Sequence, residues 1–348
     1  MILRRRQSLA RTAIGSAALA VATLLAIQGC APGSSADAGA GPSHGPAYAQ
    51  TLTQAQGIFT RIVQASAAAA ASGDTIAGLA VTADAQWAQA KGQYAALAKA
   101  GTPVPVYKYG TPAYYIPAPG AYPLWFVVNV LRTPEVGGRL GPAVNTIMLF
   151  EKGKPARGWT LNGTAALDRP LPSVAVGSDG YAVAAPLTDG SVLLRPDVLG
   201  ATQAAVADEG TANPAAAVIS AGPQTTGLYA AQAAQAGAEA ARGLAYQWLL
   251  QSASYAQFEL RLRDGGDLVL YGMYLNTSVM HPGGAKGSPI PVPTEFRPLF
   301  TLSHEVGYHA VYDNWTDQFA AIDPPATAPH AKVTVIGASS GPSYSHAL

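Results

Sequence analysis

Cysteine is almost missing from this chain: Cys30 is the only one in 348 residues. A lone thiol excludes an intramolecular disulfide, a CxxC redox pair and a cysteine-rich zinc site, so stability must come from the core. Charge is scarce as well, at 12% of residues against about 25% in ordinary soluble domains. There is no cluster of Lys and Arg interleaved with aromatics, which removes the electrostatic basis for binding nucleic acid. A nucleophile elbow and a phosphate-cradling glycine loop are also lacking.

What is present begins with Met1-Ile2-Leu3-Arg4-Arg5-Arg6, with Arg11 close behind and no acid nearby. An uncharged stretch rich in Ala, Leu and Val then runs from Ala13 to Ile27. It is too short for a membrane span, which needs about 20 apolar residues, and reads as the core of an export signal. Ile27-Gln28-Gly29-Cys30 resembles the bacterial lipobox, which implies diacylglycerol on the Cys30 sulfur. Arg5-Arg6-Gln7-Ser8-Leu9 resembles a twin-arginine signal, and export by that route or by the general secretory route stays open. Cleavage before Cys30 removes Arg4, Arg5, Arg6 and Arg11, leaving 17 of 21 basic residues against all 20 acidic ones, so the net charge turns from +1 to three negative.

Residues 31–49 are mostly Ala, Gly, Ser and Pro with little to bury, the composition of a flexible tether. Thr51-Leu52-Thr53-Gln54 fits a capping box, followed by Leu52, Ala55, Phe59, Ile62 and Val63 at helical spacing. A second helix is expected over 82–100, with Trp87, Ala90, Tyr94 and Leu97 on one face. Leu124–Leu131, Val144–Glu151 and Trp159–Leu161 read as an antiparallel meander, and the tyrosines of 107–122 as packing between sheet and helix. After a Pro/Gly-rich connector at 166–195, helices are expected at 196–208 and 225–250. A hairpin follows, from Tyr255–Arg263 across Asp264-Gly265-Gly266-Asp267 to Leu268–Leu275. Phe258, Leu260 and Leu262 share one face of it; Glu259, Arg261 and Arg263 share the other, which reads as solvated. Strands are then expected at 299–313, 319–322 and 332–336.

The expectation is an α+β fold of two successive domains, each with helices packed on a curved antiparallel sheet. Residues 1–29 form the signal peptide, 30–49 the tether, 50–195 the first domain with its connector and 196–348 the second.

Tyr114-Tyr115-Ile116-Pro117, Tyr122 to Val128, Ile147 to Phe150 and Trp159-Thr160-Leu161 resemble an uncharacterised family of actinobacterial lipoproteins. The order of helices and curved sheet is similar to the cone of nuclear transport factor 2-like domains. Neither resemblance implies catalytic residues.

His304-Glu305-Val306-Gly307-Tyr308-His309 is a near miss to the zinc-peptidase helix. Its histidines are five apart, roughly 140° round a helix, and on a strand Glu305 and His309 stand about 13 Å apart. No metal or cofactor is implied. The leading expectation is a non-enzymatic lipoprotein that binds or scaffolds an unknown protein or small molecule, with Cys30 tying it to the membrane. Two rivals remain: a pocket hydrolase or isomerase using His304 with Tyr271 or Tyr274, and a carrier of a small apolar ligand.

Overall fold

A computed structural model describes residues 50–118, 120–300 and 305–348. The signal, the tether with Cys30, and His304 lie outside the described residues.

The first helix, α1 (Leu52–Ser72), opens on the expected capping box: Gln54 N donates to Thr51 Oγ1 at 3.2 Å and Thr51 N to Gln54 Oε1 at 2.9 Å. It closes at Gly73, whose φ of 70° suits a residue without a Cβ. Then come α2 (Thr75–Ala80) and α3 (Asp84–Ala100). The strands β1 (Val106–Tyr109), β2 (Ala113–Tyr115), β3 (Leu124–Val136), β4 (Arg139–Leu140), β5 (Val144–Lys152) and β6 (Thr160–Leu167) complete this half. The other half holds α4 (Pro196–Glu209), α5 (Thr226–Ala241), β7 (Ala245–Ser252), β8 (Phe258–Arg261), β9 (Asp267–Met280), β10 (Ile290–Pro291), β11 (Val306–Gly307), β12 (Ala310–Asp323) and β13 (Thr334–Ala347).

The fold class is α+β with a large antiparallel sheet. Eleven strands join in it, with the path β1-β3-β5-β6-β13-β12-β9-β7 and with β2, β4 and β8 attached at the sides. The described residues make one compact unit, and the sheet runs unbroken past the boundary expected at 195/196 by way of β6 and β13.

Alternation along the strands gives each face its own core. Phe126, Val128, Val130, Met148 and Phe150 pack beneath Ile58, Phe59 and Ile62 of α1, with the Phe126 and Phe150 rings stacked at 4.8 Å. Phe59 meets Tyr109 and Tyr114 edge-on, so the aromatic segment does pack sheet against helix. The opposite face carries Val127, Ile147 and Leu149, which meet Phe258, Leu260, Leu268 and Leu270 from the far half. The sheet is therefore rolled, and Trp125 touching Phe258 at 5.0 Å closes the roll by side chains. Beyond β9 and β12, α4 covers the outer face through Leu199 and Val206 against Tyr271, Met273 and Phe319.

Three expectations need correction. Residues 245–252 are strand, not helix: Gly243 has φ 75° and ends the alanine-rich run, after which Tyr246, Trp248 and Leu250 alternate. The strand expected over 299–313 is broken, with a 3₁₀ turn at Arg297–Leu299, a short β11 and a start to β12 only at Ala310. Gly307 permits the tight turn, since a Cβ there would stand 2.2 Å from the Ala310 carbonyl oxygen. On α3, Trp87 is 41% exposed while Gln86 and Gln89 are buried, because the surface beneath them is polar.

Helix and sheet also touch at Gly92, where a Cβ would meet the Pro342 carbonyl oxygen at 2.3 Å. Helix propensity alone favours Gly92→Ala by about 1 kcal/mol, but backbone cannot yield as a flexible side chain does. The expected result is a net loss of about 1–2 kcal/mol, read as a lower denaturant midpoint with an unchanged slope. A raised midpoint would show that α3 slides freely over β13.

Candidate functional site

The main path of the sheet is thinnest where its halves meet. β6 and β13 share two residue pairs, Leu167 with Gly337 and Ala166 with Ala338. Past them the strands part, and side-chain amides do what a backbone ladder does elsewhere. Gln89 Nε2 donates to the Thr316 carbonyl at 2.9 Å and the Ser339 carbonyl at 3.2 Å, and Ser339 Oγ returns a bond to Gln89 Oε1 at 2.9 Å. Thr164 N donates to Gln318 Oε1 at 2.5 Å, and Thr164 Oγ1 to Gln86 Oε1 at 2.9 Å. Buried amides are tolerated here because they are paired with backbone groups that would otherwise be orphaned.

Beside this seam lies a cavity walled by Ile147, Leu149 and Leu270 on its apolar side and by Asp84, Asn162, Tyr255 and Gln318 on its polar side. Measured at the centres of water-sized molecules it holds about 30 Å³. One water needs roughly 10–15 Å³ on that measure, so two waters fill it.

Asp84 opens α3 with φ 49°, a left-handed conformation that Asp accepts better than most residues. Neighbouring backbone holds it there: Ala83 N donates to the Leu161 carbonyl at 3.0 Å, and Leu161 N to that of Val81 at 3.0 Å. Asn162 uses both amide hydrogens on acids, donating to Asp84 Oδ2 at 2.7 Å and Glu151 Oε2 at 2.9 Å, and accepts from Thr160 Oγ1 at 2.7 Å. Burial, with Asp84 beside it, pushes Glu151 up to about 7. Across the cavity, burial first and then Tyr274 and Asp84 push the Tyr255 hydroxyl up. The arrangement offers polar walls for a molecule the size of water, with Glu151 behind them, joined to the wall through Asn162.

A second polar cluster has no cavity. Glu259 is 2% exposed and Asp267 and Asp323 are 0% exposed. They gather where Arg261 faces Asp267 across β8 and β9, and Asp267 faces Asp323 across β9 and β12. Arg261 makes an ion pair with Asp189 and donates to Ser191 Oγ at 3.0 Å and to the Gly265 carbonyl at 2.9 Å. Its Nε stands 3.2 Å from Asp267 Oδ1, an ionic contact without hydrogen-bond alignment. Leu194 N donates to both Asp323 oxygens at 3.3 Å, so the connector is clasped onto the sheet. Neither Glu259 carboxylate oxygen has a hydrogen-bond partner. Burial, then Asp267 and Asp323, push Glu259 up to about 8; burial takes Asp323 to about 7 and Asp267 to about 6. The face expected to be solvated is thus partly interior. The legible signal was Asp267 opposite Arg261 at the hairpin mouth.

Of the residues singled out from sequence, Tyr271 is buried and its hydroxyl donates to Gln203 of α4. Tyr274, an odd number of positions along β9, points to the other face and lies edge-on to Tyr255 at 5.6 Å. His304 and Cys30 are outside the described residues. His309 Nδ1 is 3.0 Å from the Gly284 carbonyl, and Glu305 pairs with Arg297 at 3.4 Å. Among the described residues no group of three or more His, Cys, Asp or Glu is placed to hold a metal.

These features define an α+β protein with a rolled antiparallel sheet and an amide-filled seam. The chain belongs to the DUF8094 family, a domain of unknown function, whose model matches residues 46–341. That agrees with the resemblance to an uncharacterised family. No curated protein and no solved structure matches the chain.

Proposed function

We propose that this protein is an extracytoplasmic lipoprotein, held at the outer face of the cytoplasmic membrane by Cys30, whose body serves as a binding or scaffolding module. The observation that carries the reading is Ile27-Gln28-Gly29-Cys30, preceded by an arginine-rich start and an uncharged stretch, and followed by a Pro/Gly/Ala tether and a folded body that begins at α1. No helix among the described residues is long and apolar enough to cross a membrane, so attachment in this reading falls to the lipid. A diacylated cysteine supplies two chains, which hold a bilayer stably where one chain holds it marginally. The seam cavity, with room for two waters, favours contact at the surface over carriage of a bulky apolar cargo.

Cys30→Ser is the test. The wild type is expected in the membrane fraction and labelled by a radioactive fatty acid. The variant is expected to lose the label and to leave the lipid-anchored fraction. A variant that stayed there with its label intact would overturn the proposal.

A further inference from the structure

A cleft separate from the seam cavity lies between α1 and α3, above β1 and the end of β3. Its apolar floor is Ile62, Val63, Ala67 and Leu161, and its polar wall includes Ser66, Tyr94 and Tyr107. Measured as above, it has about 60 Å³, twice the seam cavity. One charged side chain lines it: Arg132, half-buried on β3 opposite Tyr109.

The setting of Arg132 is unusual for a cation. Among the described residues it forms no ion pair, and its Nε is buried without a hydrogen-bond partner. The guanidinium lies over the Tyr107 ring, 3.4 Å from its centroid. It also sits beside the Tyr109 hydroxyl, which burial pushes up and the Arg132 charge pulls down. The nearest acid on these strands, Glu135, is paired to Lys108 at 3.2 Å and points to the opposite face by strand alternation. Asp74, whose charge helps to raise the Tyr94 hydroxyl, caps α2, accepting from Ala77 N at 3.0 Å. Stacking on tyrosine recovers part of the cost of desolvating a cation. The Tyr109 hydroxyl occupies part of the donor fork, but Nε is left without a partner and no acid meets the charge; such a fork suits carboxylate or phosphate.

We propose that this cleft is an anion-binding site, in which Arg132, steadied by Tyr107, holds the carboxylate or phosphate of a small ligand whose apolar part lies against α1. The site is independent of the lipid anchor. The Cys30→Ser fractionation reads the anchor alone, so either proposal can fail without the other.

Benzoate and phenyl phosphate serve as probes, with benzamide as the neutral control, titrated into full-length protein in detergent micelles. At least one anionic probe is expected to bind the wild type, with affinity falling as salt rises, while benzamide does not bind. The probe that binds more tightly distinguishes a carboxylate from a phosphate ligand. Arg132→Gln is expected to weaken binding tenfold or more. As a check independent of that variant's folding, Ser66→Glu places a carboxylate in the same cleft and is expected to block the probes while melting no lower than the wild type. No binding of either anion to the wild type, or binding unchanged in both variants, would overturn the assignment.

Discussion

Glu259→Gln is expected to stabilise the protein at pH 8.5 by about 2 kcal/mol and to leave it nearly unchanged at pH 5. Glu259 is buried and unpartnered among acids, with its carboxyl pushed from an ordinary 4.5 up to about 8. A raised carboxyl means that the folded state holds its proton more tightly than the unfolded chain does. The stability this contributes is therefore complete below the unfolded value and is lost as pH climbs from about 4.5 through 8. Asp323, raised to about 7, and Asp267, raised to about 6, slope in the same direction. A full linkage calculation from Glu259 alone exceeds 2 kcal/mol, but relaxation and water entry reduce what a buried acid costs in practice. Glutamine keeps the shape and abolishes the charge. Thermal melts at the two pH values decide the matter: a midpoint gain of several degrees at pH 8.5 and little at pH 5 is expected. An equal gain at both would mean that packing, not ionisation, governs the site.

Gln318→Met is expected to cost about 3 kcal/mol at any pH between 5 and 8. Methionine matches glutamine in length and volume, so the cavity contribution is small and the loss reports hydrogen bonding. Thr164 N would lose its acceptor in a site where Gln318 is 4% and Thr164 5% exposed. An unpaired buried donor costs roughly 1–3 kcal/mol, and the opening of the remaining amide network at the seam adds to it. Denaturant unfolding measures the loss, and amide exchange at Thr164 supplies a local reading. A loss below about 0.5 kcal/mol, with Thr164 still protected, would show that the seam does not depend on this side chain.

Local chemistry made much of the fold readable. The Thr51–Gln54 capping box, the Asp264–Asp267 turn between alternating arms, and the meander beginning at Leu124 each state their structure within a few residues. The seam does not. Gln86, Gln89 and Gln318 look like surface amides in sequence, and Thr164 meets a partner 154 positions away. Trp87 drew the expected buried face of α3 toward itself because apolar spacing cannot register a polar surface waiting underneath. Glu259 and Arg261 alternate with apolar neighbours as solvated residues do; only the connector folding over β8 buries them. Arg132 follows the run Val127-Val128-Asn129-Val130-Leu131 and reads as an ordinary strand end, since nothing local announces that no acid will come to meet it.

The two-pair junction between β6 and β13 also bears on how the chain reaches this structure. β12 and β13 are consecutive, β9 pairs with β12 over its whole length, and these ladders close loops far shorter than the one between the halves. Leu167 and Gly337 stand 170 positions apart, and the entropy of bringing such distant segments together is spent before any contact repays it. Two backbone pairs, a few glutamines and the apolar side chains that face each other across the roll reward that closure only once both surfaces exist, so it is expected late, after each half of the sheet has formed its own ladder. The rolled sheet is then an assembly completed across a gap, and its slowest step is expected to be the meeting of two surfaces already built.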